Sequence, residues 1–285
     1  MRRLRNWLLF LVVVLIWGSN WPVMKSGLNY VDALNFVLHR LALSTIALSP
    51  LLVYYRTRIP NNRRDLAKLF LLGVISTAGI VAINTGLIYE KSGISAILTY
   101  TQPLFVFCIA AIFLKEEVKA IRLIGVLVGF TGVVILSIKG GQFVESFTYS
   151  TLLLILGAFL WALSIVYYKR FLNHVDPIIA NIAQLGVGAL LLALISLQSG
   201  LFNFPTSMGY IPPLLYASIG ATTIALTIWM FLLREEEAVV LASSSFIIPI
   251  VALIFGFILL GETVRLTSLL GTALTLTGVY LVNRT

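Results

Sequence analysis

Apolar residues in this chain come in long runs divided by short polar breaks, and the runs exceed what a strand or an ordinary amphipathic helix requires. A helix that crosses a bilayer needs roughly 20 mostly apolar residues. Ten stretches fit, at 7–25, 31–54, 66–89, 94–114, 121–138, 150–168, 177–198, 211–233, 239–260 and 266–282. The longest polar stretch between them, Arg56 to Asp65, is too short for a soluble domain. The pattern predicts an all-α polytopic membrane protein of ten transmembrane helices. The opening run, MRRLRNWLLFLVVVLIW, imitates a secretory signal. No small-x-small cleavage site follows it, so it is expected to stay as the first helix.

Composition narrows the class. Of 285 residues 59% are apolar and 11% charged, whereas a soluble domain carries about a quarter charged residues. That excludes a soluble enzyme, a disordered tail and a nucleic-acid module. The net charge of +9 follows the membrane instead. With the N-terminal end of the first span inside, Lys25, Lys91, Lys139 and Arg265 fall on the opposite side and Arg40 within a span; the other fifteen of the twenty Lys and Arg fall on the cytoplasmic side. Basic residues are retained there and meet anionic lipid headgroups. Both termini are therefore expected to be cytoplasmic, and the short loops suit a prokaryotic inner membrane. The single cysteine, Cys108, allows no intramolecular disulfide.

The chain also resembles itself. A shift of 144 lays WGSNWPVMKSGLNYVD on WALSIVYYKRFLNHVD, pairing Trp17 with Trp161, Lys25 with Lys169 and Asp32 with Asp176. A shift of 146 pairs Pro103 with Pro249, Glu116 with Glu262, Lys119 with Arg265, Gly125 with Gly271 and Thr131-Gly132-Val133 with Thr277-Gly278-Val279. Matched Trp, Pro, Glu and Gly in one register indicate a duplication, with residues 1–142 and 143–285 as the copies. Five spans per copy is an odd number, so the second copy is expected upside down. Inverted pairs of this kind build carriers with a ligand site near the midplane.

Several local patterns resemble one family: WGSNWP in the first helix, HRLAL in the second, TQPLF with FLKEEV in the fourth, and IIPIVALIFGFILLGETV in the ninth. Together they look like the drug/metabolite transporter superfamily, EamA type, over nearly the whole chain. The resemblance implies a basket whose central cavity is formed by helices 1–4 and 6–9, with helices 5 and 10 at the periphery. It implies small metabolites, amino acids or drugs as substrates, and export as the direction.

Candidate site residues follow from polar and aromatic groups inside the spans. Trp17, Asn20, Trp21 and Met24 recur at i, i+3, i+4 and i+7 along one face, suiting either a small organic solute or helix packing, and Trp161 is the counterpart in the second copy. Asn84, Thr99, Gln102, Asn181, Gln184 and Ser245 are hydrogen bonders at depth, available to a substrate or to neighbouring helices. Pro103 and Pro249 each remove a helical hydrogen bond and are expected to free the carbonyls of Thr99 and Ser245, either at cavity-lining kinks that act as gates or at static kinks buried by packing. His39 is either a satisfied core residue or a proton carrier. Arg40 lies ~12 Å along its helix from Asp32, near mid-bilayer, where a charge normally faces a cavity or partner. All eleven Asp and Glu sit in loops or at span ends, leaving Arg40 to carbonyls, amides such as Gln184, water or a substrate anion. Glu116 with Lys119 and Glu262 with Arg265 are expected to be structural charge pairs at span ends.

No HExxH motif, buried acid pair, metal-ligand cluster or carbonyl filter is present, so neither an enzyme nor a channel is expected, and no cofactor. Without a midplane carboxylate to exchange cations for protons, a neutral, zwitterionic or anionic metabolite such as an amino acid is the expected cargo. The alternative is a proton-coupled exporter of cationic drugs, and the distant alternatives are an intramembrane enzyme or a structural membrane scaffold.

Overall fold

The computed structural model describes residues 2–90, 92–114, 119–136, 148–251 and 266–284, which contain helices and turns and no strand. Its long helices are α1 (Arg2–Gly27), α2 (Ala33–Tyr54), α3 (Arg63–Tyr89), α7 (Tyr149–Phe171), α8 (Pro177–Gln198) and α9 (Met208–Glu235). These six are, among the described residues, long and apolar enough to cross a membrane. Shorter helices complete the chain: α4 (Ser92–Thr99), α5 (Gln102–Phe113), α6 (Ala120–Leu136), α10 (Ala238–Ser244) with a helical continuation at 247–251, and α11 (Leu266–Asn283).

The starts of the helices follow from their sequences. Asp32 and Asp176, 144 residues apart, cap α2 and α8 by accepting from the backbone N–H of Asn35 and of Ile178. Asn62 and Thr148 do the same for α3 and α7. Such caps satisfy donors that have no partner within the helix.

The two proline-bearing spans are interrupted rather than kinked. The helix stops at Thr99, turns through Tyr100 and Thr101, and restarts with Pro103 in the first turn of α5. The second stops at Ser244 and turns through Ser245 and Phe246 ahead of Pro249. Proline suits a first turn because its missing N–H is not needed there. The Ser245 carbonyl, expected to be orphaned, accepts from Ile248 N at 2.9 Å.

Packing pairs α3 with α7 and α8, α2 with α8 and α9, α1 with α9, α5 with α7, and α6 with α11. Small residues set the closest approaches: Gly79 of α3 lies against Gly157 and Leu160 of α7, and Gly73 against Val187 of α8. Two clusters at helix ends fix directions. Asn6, near the start of α1, donates to Glu236 at 2.7 Å, and Ser150, near the start of α7, donates to Glu90 at 3.2 Å. At its other end α1 offers Lys25, whose Nζ donates to the carbonyls of Leu87, Ile88 and Glu90 at 2.6–2.9 Å. Lys169, at the far end of α7, donates to the carbonyls of Leu233, Arg234 and Glu236. Each of these two helices begins where the other ends, so α1 and α7 are antiparallel.

Candidate functional site

A cavity of about 140 Å³ lies between the long helices. α1 supplies Trp17, Asn20, Trp21 and Met24 from its single stripe; α2 supplies Arg40; α3 supplies Ser76, Thr77 and Asn84. Thr99 and Tyr100 enter from the break between α4 and α5, Trp161 and Ser164 from α7, Gln184 from α8, and Trp229 and Met230 from α9. Among the described residues, α6 and α11 contribute nothing to its wall.

Three tryptophans form its aromatic side. Trp17 stands edge-on to Trp161 with centroids 5.5 Å apart and lies 5.1 Å from Trp229, while Trp161 and Trp229 are 6.3 Å apart. Trp17 Nε1 donates to the Ala221 carbonyl at 3.0 Å, which orients its ring.

Arg40 is buried. Its Nε donates to Thr222 Oγ1 and its Nη1 approaches Met24 Sδ at 3.3 Å, a weak acceptor. Among the described residues no carboxylate stands beside it. Thr222 belongs to a π-helical stretch, Tyr216–Ala225, within α9, and its hydroxyl donates to the Ala217 carbonyl five residues back at 2.8 Å. The same stretch thus holds Trp17 through Ala221 and Arg40 through Thr222. π-Helical turns are rare and frequent at functional sites. A guanidinium has five N–H donors in a planar fork that matches a carboxylate, and two bonds to a hydroxyl and a thioether leave it capacity for an entering anion.

The other polar groups divide into bonded and unbonded. Gln184 accepts from Ser76 Oγ at 3.0 Å and donates to Asn181 Oδ1 at 2.8 Å, and Asn181 donates to Thr227 Oγ1 at 2.8 Å. That chain ties α3, α8 and α9 together, and Gln184 is not a partner of Arg40. By contrast Asn20 Oδ1, Asn84 Oδ1, Thr99 Oγ1 and Trp229 Nε1 are buried with no hydrogen-bond partner among the described residues. All four residues line the cavity. Buried polar atoms are normally paired, so these are points at which a solute or water completes the wall.

Of the residues expected from sequence, Trp17, Asn20, Trp21, Arg40, Asn84, Thr99, Trp161 and Gln184 come together here. His39, Gln102, Asn181 and Ser245 lie outside the wall. His39 faces away from it: its Nδ1 is 2.8 Å from the Tyr210 hydroxyl, and its ring lies 4.8 Å from Phe204 and 5.9 Å from Phe202. Gln102 and Ser245 are fully buried at the two helix breaks. Pro103 and Pro249 also stand outside the wall. Lys119 is exposed ahead of α6, while Glu116, Glu262 and Arg265 lie outside the described residues. The sequence reading missed Trp229 and Thr222. A tryptophan in mid-span was a usable signal for the first, whereas the second depends on the π-helical winding.

Known proteins extend this description. An uncharacterized transporter, YoaV, of Bacillus subtilis is 26% identical over 94% of this chain and 93% of its own length. One from Archaeoglobus fulgidus is 26% identical over 99% of both. The uncharacterized inner membrane transporter YedA of Escherichia coli is 26% identical over 87% of this chain and 81% of its own. A crystal structure of a protein 16% identical superposes with a TM-score of 0.80 over 97% of this chain and 96% of that one, a likeness of fold. The profile of the EamA-like transporter family matches residues 5–138 and again residues 148–284. With helices long enough to span a bilayer around a cavity lined by polar and aromatic side chains, this chain is a multi-pass membrane transporter and belongs to the EamA-like transporter family.

Proposed function

We propose that the protein is a secondary carrier of ten spans, built from two inverted five-helix repeats (1–142 and 143–285), that moves a small metabolite by alternating access. The cargo is an amino acid or a related zwitterionic or anionic solute, the direction is export, and the membrane is a prokaryotic inner membrane with both termini cytoplasmic. YedA's description as an inner membrane transporter supports the location. Packing supports the inverted repeat. Lys25 and Lys169, 144 apart, each bind three carbonyls, and those of Leu87, Ile88 and Glu90 lie 146 residues before those of Leu233, Arg234 and Glu236. The antiparallel course of α1 and α7 is what inversion requires. Trp17 and Trp161, equivalents in sequence, touch one another, as residues near a pseudo-two-fold axis do.

The observation that carries the cargo class is Arg40: a buried guanidinium on the cavity wall whose protein partners are a hydroxyl and a thioether. An isolated buried charge is costly, and a substrate carboxylate offsets that cost in the loaded state. The amides of Asn20 and Asn84 and the tryptophan faces suit the remainder of an amino-acid-like solute. Transport into proteoliposomes of a panel of amino acids, neutral sugars and lipophilic cations tests this. Arg40→Gln is expected to abolish transport of carboxylated solutes. If carboxylate transport is intact in that variant, the anion role is wrong, and transport of lipophilic cations at the wild-type rate would favour the drug exporter instead.

A further inference from the structure

The cavity lies between two helix-end bridges, or closures, that are built alike. α1 and α3 form facing walls, and their last lining residues are Met24 and Asn84. Just beyond, Lys25 bridges the helices by placing its ammonium on the three carbonyls at the end of α3. α7 and α9 form the other walls, and beyond Ile165 and Leu233 Lys169 bridges them in the same way. Helix C-termini expose unpaired carbonyls with partial negative charge, so an ammonium with three donors suits one. Each closure also holds the start of the opposite helix, Ser150 on Glu90 and Asn6 on Glu236. Asn6 and Lys25 are ~28 Å apart along α1 at 1.5 Å per residue, close to the thickness of a bilayer core. One closure therefore sits near each membrane face, with the cavity between.

We propose that Lys25 and Lys169 are the two gate latches of the carrier: release of one ammonium from its helix end opens the cavity to that face while the other latch stays shut. This rests on the alternating-access reading above. The latches are unequal. Beside Lys169, Arg5 forms a two-pronged ion pair with Glu235 at 2.8 and 3.0 Å; the positions equivalent to Arg5 and Glu235 are Tyr149 and Tyr89, both exposed. α1 also carries Pro22 one turn before Lys25, a bending point, where α7 has Val166. The Lys25 gate is thus the more easily opened.

The test uses the full chain in sealed vesicles, with Cys108→Ser and a reporter cysteine, Ser164→Cys, on the cavity wall. A membrane-impermeant maleimide is added to one face at a time. The parent is expected to react faster from the Lys25 face. Lys25→Met is expected to raise that rate about tenfold, the worth of one charge-assisted hydrogen bond, and Lys169→Met to raise the rate from the opposite face. Should the lysine variants fail to fold, Ser150→Ala and Asn6→Ala loosen one closure each and are expected to shift labelling in opposite directions. One-sided labelling of the parent that folded variants leave unchanged, or shift in the same direction, overturns the latches. A parent whose cysteine reacts equally fast from both faces under all conditions behaves as a pore, and overturns alternating access itself.

Discussion

At the scale of single residues, the decisive contact is the one between Arg40 and Thr222. The hydroxyl accepts from the guanidinium and donates to the Ala217 carbonyl, so it both orients the fork and closes the π-helical turn. Thr222→Val keeps the shape and removes the acceptor, at a cost of about 1–3 kcal/mol for a buried charged donor left short of a partner. The expected outcome is a loss of roughly tenfold or more in apparent affinity for a carboxylated solute, read as KM in proteoliposomes, with Thr222→Ser restoring it. Thr222 is a positioning residue, so neutral solutes should be transported by Thr222→Val almost as before. Arg40 was legible in the sequence because an arginine inside an apolar run is conspicuous, and Trp17, Asn20 and Trp21 because their spacing puts them on one face. Thr222 was illegible because its role needs i→i+5 winding, which hydrophobic periodicity does not encode. His39, adjacent to Arg40 in sequence, projects elsewhere because successive helical residues differ by about 100°.

At the scale of elements, glycine decides which helices approach closely. α6 and α11 meet through their equivalent glycines: a Cβ on Gly278 would overlap the backbone of Gly129, and one on Gly132 the backbone of Thr275. Backbone cannot move aside as a flexible side chain does. Gly278→Val is expected to separate the pair and lower stability by about 1–3 kcal/mol, the usual cost of overpacking, seen as a lower thermal midpoint in detergent. Gly186, whose added Cβ would meet only Thr45 at an ordinary 3.6 Å, is the control, and its alanine variant should melt near wild type. Gly132 and Gly278 were readable from sequence as matched positions of the two copies, although the contact they make was not. The breaks at Tyr100–Thr101 and Ser245–Phe246 were half readable: proline marked the neighbourhood, but apolar periodicity runs straight through each turn and predicted one continuous span.

At the scale of the whole molecule, direction in the membrane follows from charge and from the antiparallel course of α1 and α7. The face where α1 begins also holds the turn after α2, with Arg56, Arg58, Arg63 and Arg64 exposed, and the Arg58–Asp176 pair that joins the end of α2 to the start of α8. The opposite face holds Lys25, the end of α8 and the turn that follows it, pinned by Asn35 through the Leu201 carbonyl and the Asn203 N–H. Arginine resists translocation when it lies in short loops beside spans, so the arginine-rich turn is expected inside. Single cysteines at Ser26 and Ser199, both exposed, should react with an impermeant maleimide in intact cells once Cys108 is replaced by serine. A cysteine at Asn61, also exposed but in the arginine-rich turn, should react only after the cells are opened. Ser26 lies in the last turn of α1 and Ser199 closes α8 of the second half, so labelling of both from one side joins the halves in opposite senses. Labelling of Asn61 together with either of them in intact cells would remove the orientation, and with it the assignment of the Lys169 latch to the cytoplasmic face.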